Sequence, residues 1–249
     1  MINTREIVQA RQGAFLTENF SGIAQDVFRD APPVFRLMQR WRPYICPFEL
    51  LAPEIPSGST VLDIGCGAGL FLGLLAMLGR RIQGLGVDSS AQAIRCAQHM
   101  SHIVNQRELG SHLQFQCLPS DQALPDGPFD VVTVIDVVHH VPQTDQERFL
   151  FSAIDRLAPG GRLVYKDMAS GPWWRHAAAR LHDLVIAQQW IHEAPVSMVR
   201  PWAESRGLTC LYSVEANRYC YGHEFAIFEK PRAPEAETPR RLQTVDVAD

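Results

Sequence analysis

The sequence has no long hydrophobic run. Its longest strongly apolar stretch, Leu70–Leu78, is far too short to cross a bilayer, so no membrane span is expected. It has no CxxC pair. Its six cysteines, Cys46, Cys66, Cys96, Cys117, Cys210 and Cys220, are dispersed without zinc-like spacing, which excludes a structural zinc site and reads as reduced thiols in a cytoplasmic protein. It lacks an excess of basic residues. The net charge is −4, the opposite of the footprint that nucleic-acid binding requires, so no nucleic-acid partner is expected. Met1–Arg11 carries charges early and no apolar core, so no secretory leader is expected. Internal repeats are absent too.

What is present is an ordinary globular composition, 46% apolar and 20% charged over 249 residues, enough to bury a core without disulfides. Residues 1–57 read as a helical lead-in. Phe35, Leu37, Met38 and Trp41 suit an amphipathic helix that Pro43 should end. From 58 the chain alternates strand and helix. Strands are expected at Thr60–Ile64, Leu85–Val87, Leu113–Leu118, Phe129–Val138 and Arg162–Lys166, with helices over Leu70–Leu78, Ala91–Arg107 and Asp145–Leu157. Such βαβ units imply a doubly wound, mostly parallel α/β sheet with helices on both faces. The rhythm breaks over about 169–206, which reads as a substrate-side insertion with a helix at Ala177–Ile191. Leu208–Val214 and Glu224–Glu229 read as two closing strands joined by a long turn through Asn217 and Gly222. Residues 233–249, rich in Pro, Glu, Thr and Arg, read as a disordered tail.

The most informative segment is Val61-Leu-Asp63-Ile-Gly65-Cys66-Gly67-Ala-Gly69. An apolar strand runs into three glycines at alternate positions, where a ligand can approach the backbone closely and a helix N-terminus offers free N–H groups. A dinucleotide site wants Gly-x-Gly-x-x-Gly. Here the spacing differs and Asp63 precedes the glycines. A carboxylate there is a poor neighbour for pyrophosphate and a good one for an ammonium group. Asp88, at the tip of the second strand, is placed to accept both hydroxyls of a ribose.

Val61–Gly69, Gly86-Val-Asp88-Ser89-Ser90, Phe129-Asp-Val-Val132 and Leu157-Ala-Pro-Gly-Gly-Arg-Leu-Val164 occur in the order found in class I methyltransferases dependent on S-adenosylmethionine (SAM), and over about 58–168 the chain resembles that family. The resemblance implies a Rossmann-like seven-stranded sheet with its last strand antiparallel, preceded here by an N-terminal helical lid. It implies SAM as cofactor. Asp63, Gly65, Cys66, Gly67 and Gly69 would border its methionine part, and Asp88 and Ser89 its ribose. Ser120 or Asp121 would meet the adenine, the family's acid falling one place from the best alignment. Asp136 joins the cofactor-binding candidates.

His139 and His140 follow the fourth strand, where open α/β sheets bind ligands. His140 matches the family's His-Val-Pro, either as a general base or as a loop post, and His139 is its neighbour. Asp136 and Asp167, both at strand ends, would suit Mg²⁺, but Met168 stands where the catechol enzymes carry an amide ligand. No metal is therefore expected. Tyr44, Trp173 and His176 are acceptor-side candidates, and each reads equally as packing. The run Arg40–Glu49 and Leu181-His-Asp-Leu184 resemble methyltransferases of bacterial aromatic or polyketide-like pathways. The expected function is methyl transfer to a small molecule, at oxygen first, with carbon, nitrogen or a non-catalytic SAM-binding subunit as alternatives.

Overall fold

The computed structural model describes residues 17–169, 192–218 and 221–232. Two helices lead, α1 (Thr17–Val27) and α2 (Pro33–Ile45), then a single turn, α3 (Phe48–Leu51). The sheet is built from β1 (Thr60–Ile64), β2 (Gln83–Asp88), β3 (His112–Cys117), β4 (Phe129–Ile135), β5 (Leu157–Met168), β6 (Thr209–Arg218) and β7 (Tyr221–Glu229), in the order β3-β2-β1-β4-β5-β7-β6. Pairing is parallel from β3 through β5, and β7 alone runs against its neighbours. This is the doubly wound seven-stranded sheet expected.

Burial explains the sequence of each element. β1 is central and covered on both faces, so Val61, Leu62 and Ile64 are all buried and the strand reads as a continuous apolar run. The helix after it, α4 (Leu70–Met77), is apolar all round because it is buried all round. Gly73 lets it lie tight on α5 (Ala91–Asn105), where a Cβ would come within 2.9 Å of Met100 Sδ. Ser90 caps α5, its Oγ accepting from the Ala93 N–H at 3.2 Å. One face of the sheet, with Val61, Val131, Val164 and Ile227, packs on α4, α5 and the N-terminal segment through Phe20, Phe28 and Leu51. The other face, with Leu62, Val132, Leu163 and Phe228, packs on α6 (Gln146–Ile154) and α7 (Val196–Ser205).

Several expected boundaries shift. β4 stops at Ile135, because Asp136 adopts φ 57° and the chain turns into a 3-10 turn at Val138–His140. Helix α2 runs through Pro43 to Ile45: a proline in the last turn removes one bond, and the Cys46 N–H still donates to the Arg42 carbonyl at 2.8 Å. Asn217 and Gly222 face each other within the β6–β7 ladder, which pairs out to Arg218 and Tyr221, so no long turn separates them. The helix α7 is additional to the elements expected, and the helix expected at Ala177–Ile191 lies outside the described residues.

Gly69 caps α4 at φ 79°, and a Cβ there would lie 2.6 Å from two ring atoms of Phe115. Gly69→Ala therefore carries both left-handed strain and overpacking and is expected to destabilise the protein by about 3 kcal/mol. Urea unfolding measures it, and a change under about 0.5 kcal/mol at unchanged slope contradicts the packing described.

Candidate functional site

The site lies at the carboxyl edge of the parallel strands, and its floor is the glycine loop after β1. The N–H groups of Gly65 and Cys66 both donate to the Val87 carbonyl, at 2.8 and 3.0 Å, and the Gly67 N–H donates to Asp88 Oδ2 at 2.8 Å. Gly65, Gly67 and Gly69 all have positive φ. Their surroundings differ. A Cβ on Gly65 would strike Val137 at 2.3 Å, so the loop after β4 packs directly over this glycine. A Cβ on Gly67 would meet nothing within 4 Å. That open side is space beside the backbone of the kind a ligand occupies.

Asp63 is 3% exposed and accepts a hydrogen bond from Thr133 Oγ1 at 2.6 Å; no cation pairs with it among the described residues. Burial pushes its carboxyl up to about 7; the Thr133 hydroxyl pulls the other way and the nearby Asp88 charge adds to the rise. Asp88, half-buried, uses Oδ2 for Gly67 and Oδ1 for the Ser90 N–H at 2.8 Å. Each carboxylate oxygen retains a second acceptor lone pair. Cys66 is half-buried, and burial pushes its thiol far up, so it is a packing residue of the loop rather than a nucleophile. Ser89 is exposed. Beyond β3, Ser120 and Asp121 are both exposed on the turn closed by the Gln122 N–H to the Pro119 carbonyl at 3.0 Å, while the Leu118 N–H donates to the Asp88 carbonyl at 2.9 Å.

The ends of β4 and β5 hold two ion pairs on one face and a buried imidazole–carboxyl pair on the other. Lys166 and Asp167 are successive on β5 and so point to opposite faces. Lys166 Nζ, 1% exposed, meets Asp136 Oδ1 at 2.5 Å, and Arg42 Nη2 from α2 meets Asp136 Oδ2 at 2.9 Å. Burial works against the Asp136 charge, but Lys166 and Arg42 outweigh it and hold the carboxyl well below the ordinary range. On the other face Asp167 Oδ1 lies 2.5 Å from His139 Nδ1, both groups buried. The ring of His140 is exposed, 4.0 Å from that of His139 between centroids. His223 on β7 is buried nearby; burial first, then Lys166, lowers its pKa to about 3, so it is neutral.

Asp63, the three glycines, Cys66 and Asp88 are thus brought together as the sequence implies, with Ser89, Ser120 and Asp121 along the rim. Asp136, a cofactor-binding candidate in the sequence, has its side chain paired with two cations. Those pairs also take Asp136 out of a shared metal site with Asp167, which is on the other face with His139. Tyr44 is half-buried at the end of α2, its ring 5.4 Å from that of Trp41. Trp173 and His176 lie outside the described residues. Arg42, Lys166 and His223 were not singled out from sequence. A lysine inside the apolar run Leu163-Val-Tyr-Lys166 was the available signal, since such a charge is buried only with a partner.

Comparison with known proteins gives the site a setting. A family model described as a methyltransferase domain matches residues 36–213. The chain is 33% identical over 140 residues to the mitochondrial ubiquinone biosynthesis O-methyltransferase of Schizosaccharomyces pombe, covering 56% of this chain and 47% of the relative. It is 30% identical over 166 residues to the ubiquinone biosynthesis O-methyltransferase of Coxiella burnetii, covering 62% and 65%. The chain therefore spans about half to two thirds of the length of these relatives. The crystal structure of magnesium protoporphyrin IX methyltransferase from Synechocystis PCC 6803, with bound S-adenosylhomocysteine, superposes with a TM-score of 0.59 at 16% identity over 86% of this chain and 98% of that one, a likeness of fold.

The raised Asp63 carboxyl has a thermodynamic consequence. Below its ordinary value, near 3.8, folded and unfolded chains both hold the proton. Between there and about 7 the folded state holds a proton that the unfolded chain gives up. Stability from this group is therefore present at low pH and lost as pH rises through 7, a difference of at most on the order of 4 kcal/mol. In ligand-free protein, Asp63→Asn is expected to flatten the fall in unfolding free energy between about pH 4 and pH 7. An unchanged pH profile in the variant contradicts this.

Proposed function

The chain belongs to the methyltransferase-domain family, whose methyl donor is SAM, and from that premise we propose that it methylates a hydroxyl oxygen of a small-molecule acceptor. The observation that carries this reading is an open glycine cradle beside a buried carboxyl that no cation pairs among the described residues, with an exposed imidazole at the neighbouring strand end. The residues fit SAM. Gly67 leaves the space a ligand would fill, and Asp63 has no countercharge among the described residues, a place the ammonium of the methionine part would take. Asp88 offers charged acceptors to the ribose hydroxyls. When bound, SAM supplies an electrophilic methyl on a sulfonium, a good leaving group.

The protein's own work is then to align, to exclude water and to take a proton. His140, exposed beside the acceptor-side strand ends, takes the hydroxyl proton as the oxygen attacks. The His139–Asp167 pair holds the loop that presents it. That loop is further tied by Gln146 Nε2, which donates to the Val138 and Val141 carbonyls at 3.1 and 3.3 Å. Asp167 fixes the His139 ring by its Nδ1, a positioning role. Tyr44, two residues beyond Arg42 on α2, is retained as an acceptor-side candidate. The relatives' names point to oxygen as the atom methylated and are compatible with an aromatic or polyketide-like acceptor. The five described cysteines are free, which suits a reducing compartment such as the cytoplasm.

The test uses methyl-labelled SAM with a panel of hydroxylated aromatic compounds and identification of the product. A methyl ether is expected; label found on nitrogen or carbon, or no transfer to any member of the panel, contradicts the proposal. With an accepted substrate, His140→Ala should lower turnover by roughly 10²–10⁴-fold while leaving SAM affinity nearly unchanged. Asp88→Ala should do the reverse, weakening SAM binding by about 2–3 kcal/mol. Equal loss of binding and rate in His140→Ala would make His140 a loop post instead.

A further inference from the structure

Helix α2 carries an apolar stripe on the side turned away from the core. Val34, Leu37, Met38 and Trp41 are 68%, 57%, 46% and 51% exposed. Their spacing, i, i+3, i+4, i+7, makes one continuous face. They are four of the six large apolar side chains that stand exposed among the described residues, so the exposure is concentrated rather than scattered. The helix is anchored by its other side, where Phe35 packs against the core and Pro43 is buried.

The charge around this stripe is of one sign. The helix, PVFRLMQRWRPYI, contains three arginines and no acid, in a chain whose net charge is −4. Arg42 is turned inward to Asp136. Arg36 and Arg40 are exposed and flank the stripe, and neither pairs with a carboxylate among the described residues. Arg36 donates to the Arg29 carbonyl at 3.3 Å and Arg40 lies 6.0 Å from the Trp41 ring. Asp26 and Asp30, on the neighbouring helix and turn, are engaged by Arg29, Arg107 and His99.

We propose that α2 is a docking surface for an anionic lipid bilayer. It would lie in the plane of the interface with Val34, Leu37, Met38 and Trp41 at the headgroup–acyl boundary and Arg36 and Arg40 reaching to the phosphates. Long basic stems beside an apolar stripe bearing a tryptophan suit that boundary, where one side is greasy and the other wet and negative. A second copy of the chain fits less well. A stripe one helix wide and about two turns long is smaller than the roughly 800 Å² that each partner buries in a stable interface. Self-pairing would also bring Arg36 and Arg40 against their own copies. The same helix carries Arg42 to Asp136, so a bilayer against its outer face would sit beside the ends of β4 and β5. The docking itself does not depend on which atom is methylated.

The full chain is sedimented with vesicles of phosphatidylcholine alone and with vesicles that also contain phosphatidylglycerol. The parent protein is expected to pellet with the anionic vesicles and to be released by high salt. Leu37→Glu/Trp41→Glu should remain in the supernatant. Arg36→Gln/Arg40→Gln should lose roughly thirtyfold in partitioning, about 1 kcal/mol for each charge. Both double variants alter exposed positions and should melt at the parent's temperature. No partitioning of the parent, partitioning unchanged in the variants, or a parent dimer in sedimentation equilibrium that Leu37→Glu/Trp41→Glu splits would each overturn the proposal.

Discussion

A carboxylate at the end of a buried strand must be given a partner, and four adjacent strands of this sheet carry one there. β2 ends in Asp88, β1 carries Asp63 one residue before its end, β4 is followed by Asp136, and Asp167 stands near the end of β5. Each is answered differently. Asp136 has an ammonium and a guanidinium, Asp167 an imidazole, and Asp88 two backbone N–H groups. Asp63 has one hydroxyl. Among the described residues three of these carboxyls are thus given cationic or multiple partners, and the fourth, directly under the glycine loop, has one hydroxyl and no cation.

The fold brings this about with few parts. Parallel strands with right-handed crossovers bring all their carboxyl ends to one edge, and the loop after β1 is stitched to β2 by three backbone N–H groups. The N-terminal helices are not an accessory to this arrangement. Phe20, Phe28 and Leu51 share one core with the sheet, and α2 delivers Arg42 across 94 residues of sequence to Asp136. Removing Arg42 or Lys166 would leave a buried carboxylate short of charge, as Asp63 already is.

Much of this was legible because it is local. The glycine spacing, Asp63 and Asp88 are written within short segments, and the buried strands around them are apolar runs. What was misread depends on contacts distant in sequence. Val137-Val138 prolongs the apolar pattern of β4, so its end at Ile135 is invisible until Lys166 and Arg42 are seen to hold Asp136 in a left-handed turn. His139 and His140 are neighbours of the same chemistry, and only the position of Asp167 makes one buried and leaves the other exposed. Leu37, Met38 and Trp41 keep a helical period that says they share a face but not which way it turns; the structure turns it outward. The helix at Val196–Ser205 is obscured in sequence by Pro201 in its interior.

The shortage of positive charge at Asp63 is most directly tested by counting protons when SAM binds. Near pH 6, Asp63 is mostly protonated in the ligand-free protein, since its carboxyl sits at about 7. An ammonium brought beside it would favour the ionised form. Titration calorimetry in buffers of different ionisation enthalpy should therefore show SAM binding with release of close to one proton at that pH, and almost none in Asp63→Asn. SAM binding to the parent protein with no proton released, or the same release in Asp63→Asn, would contradict the account.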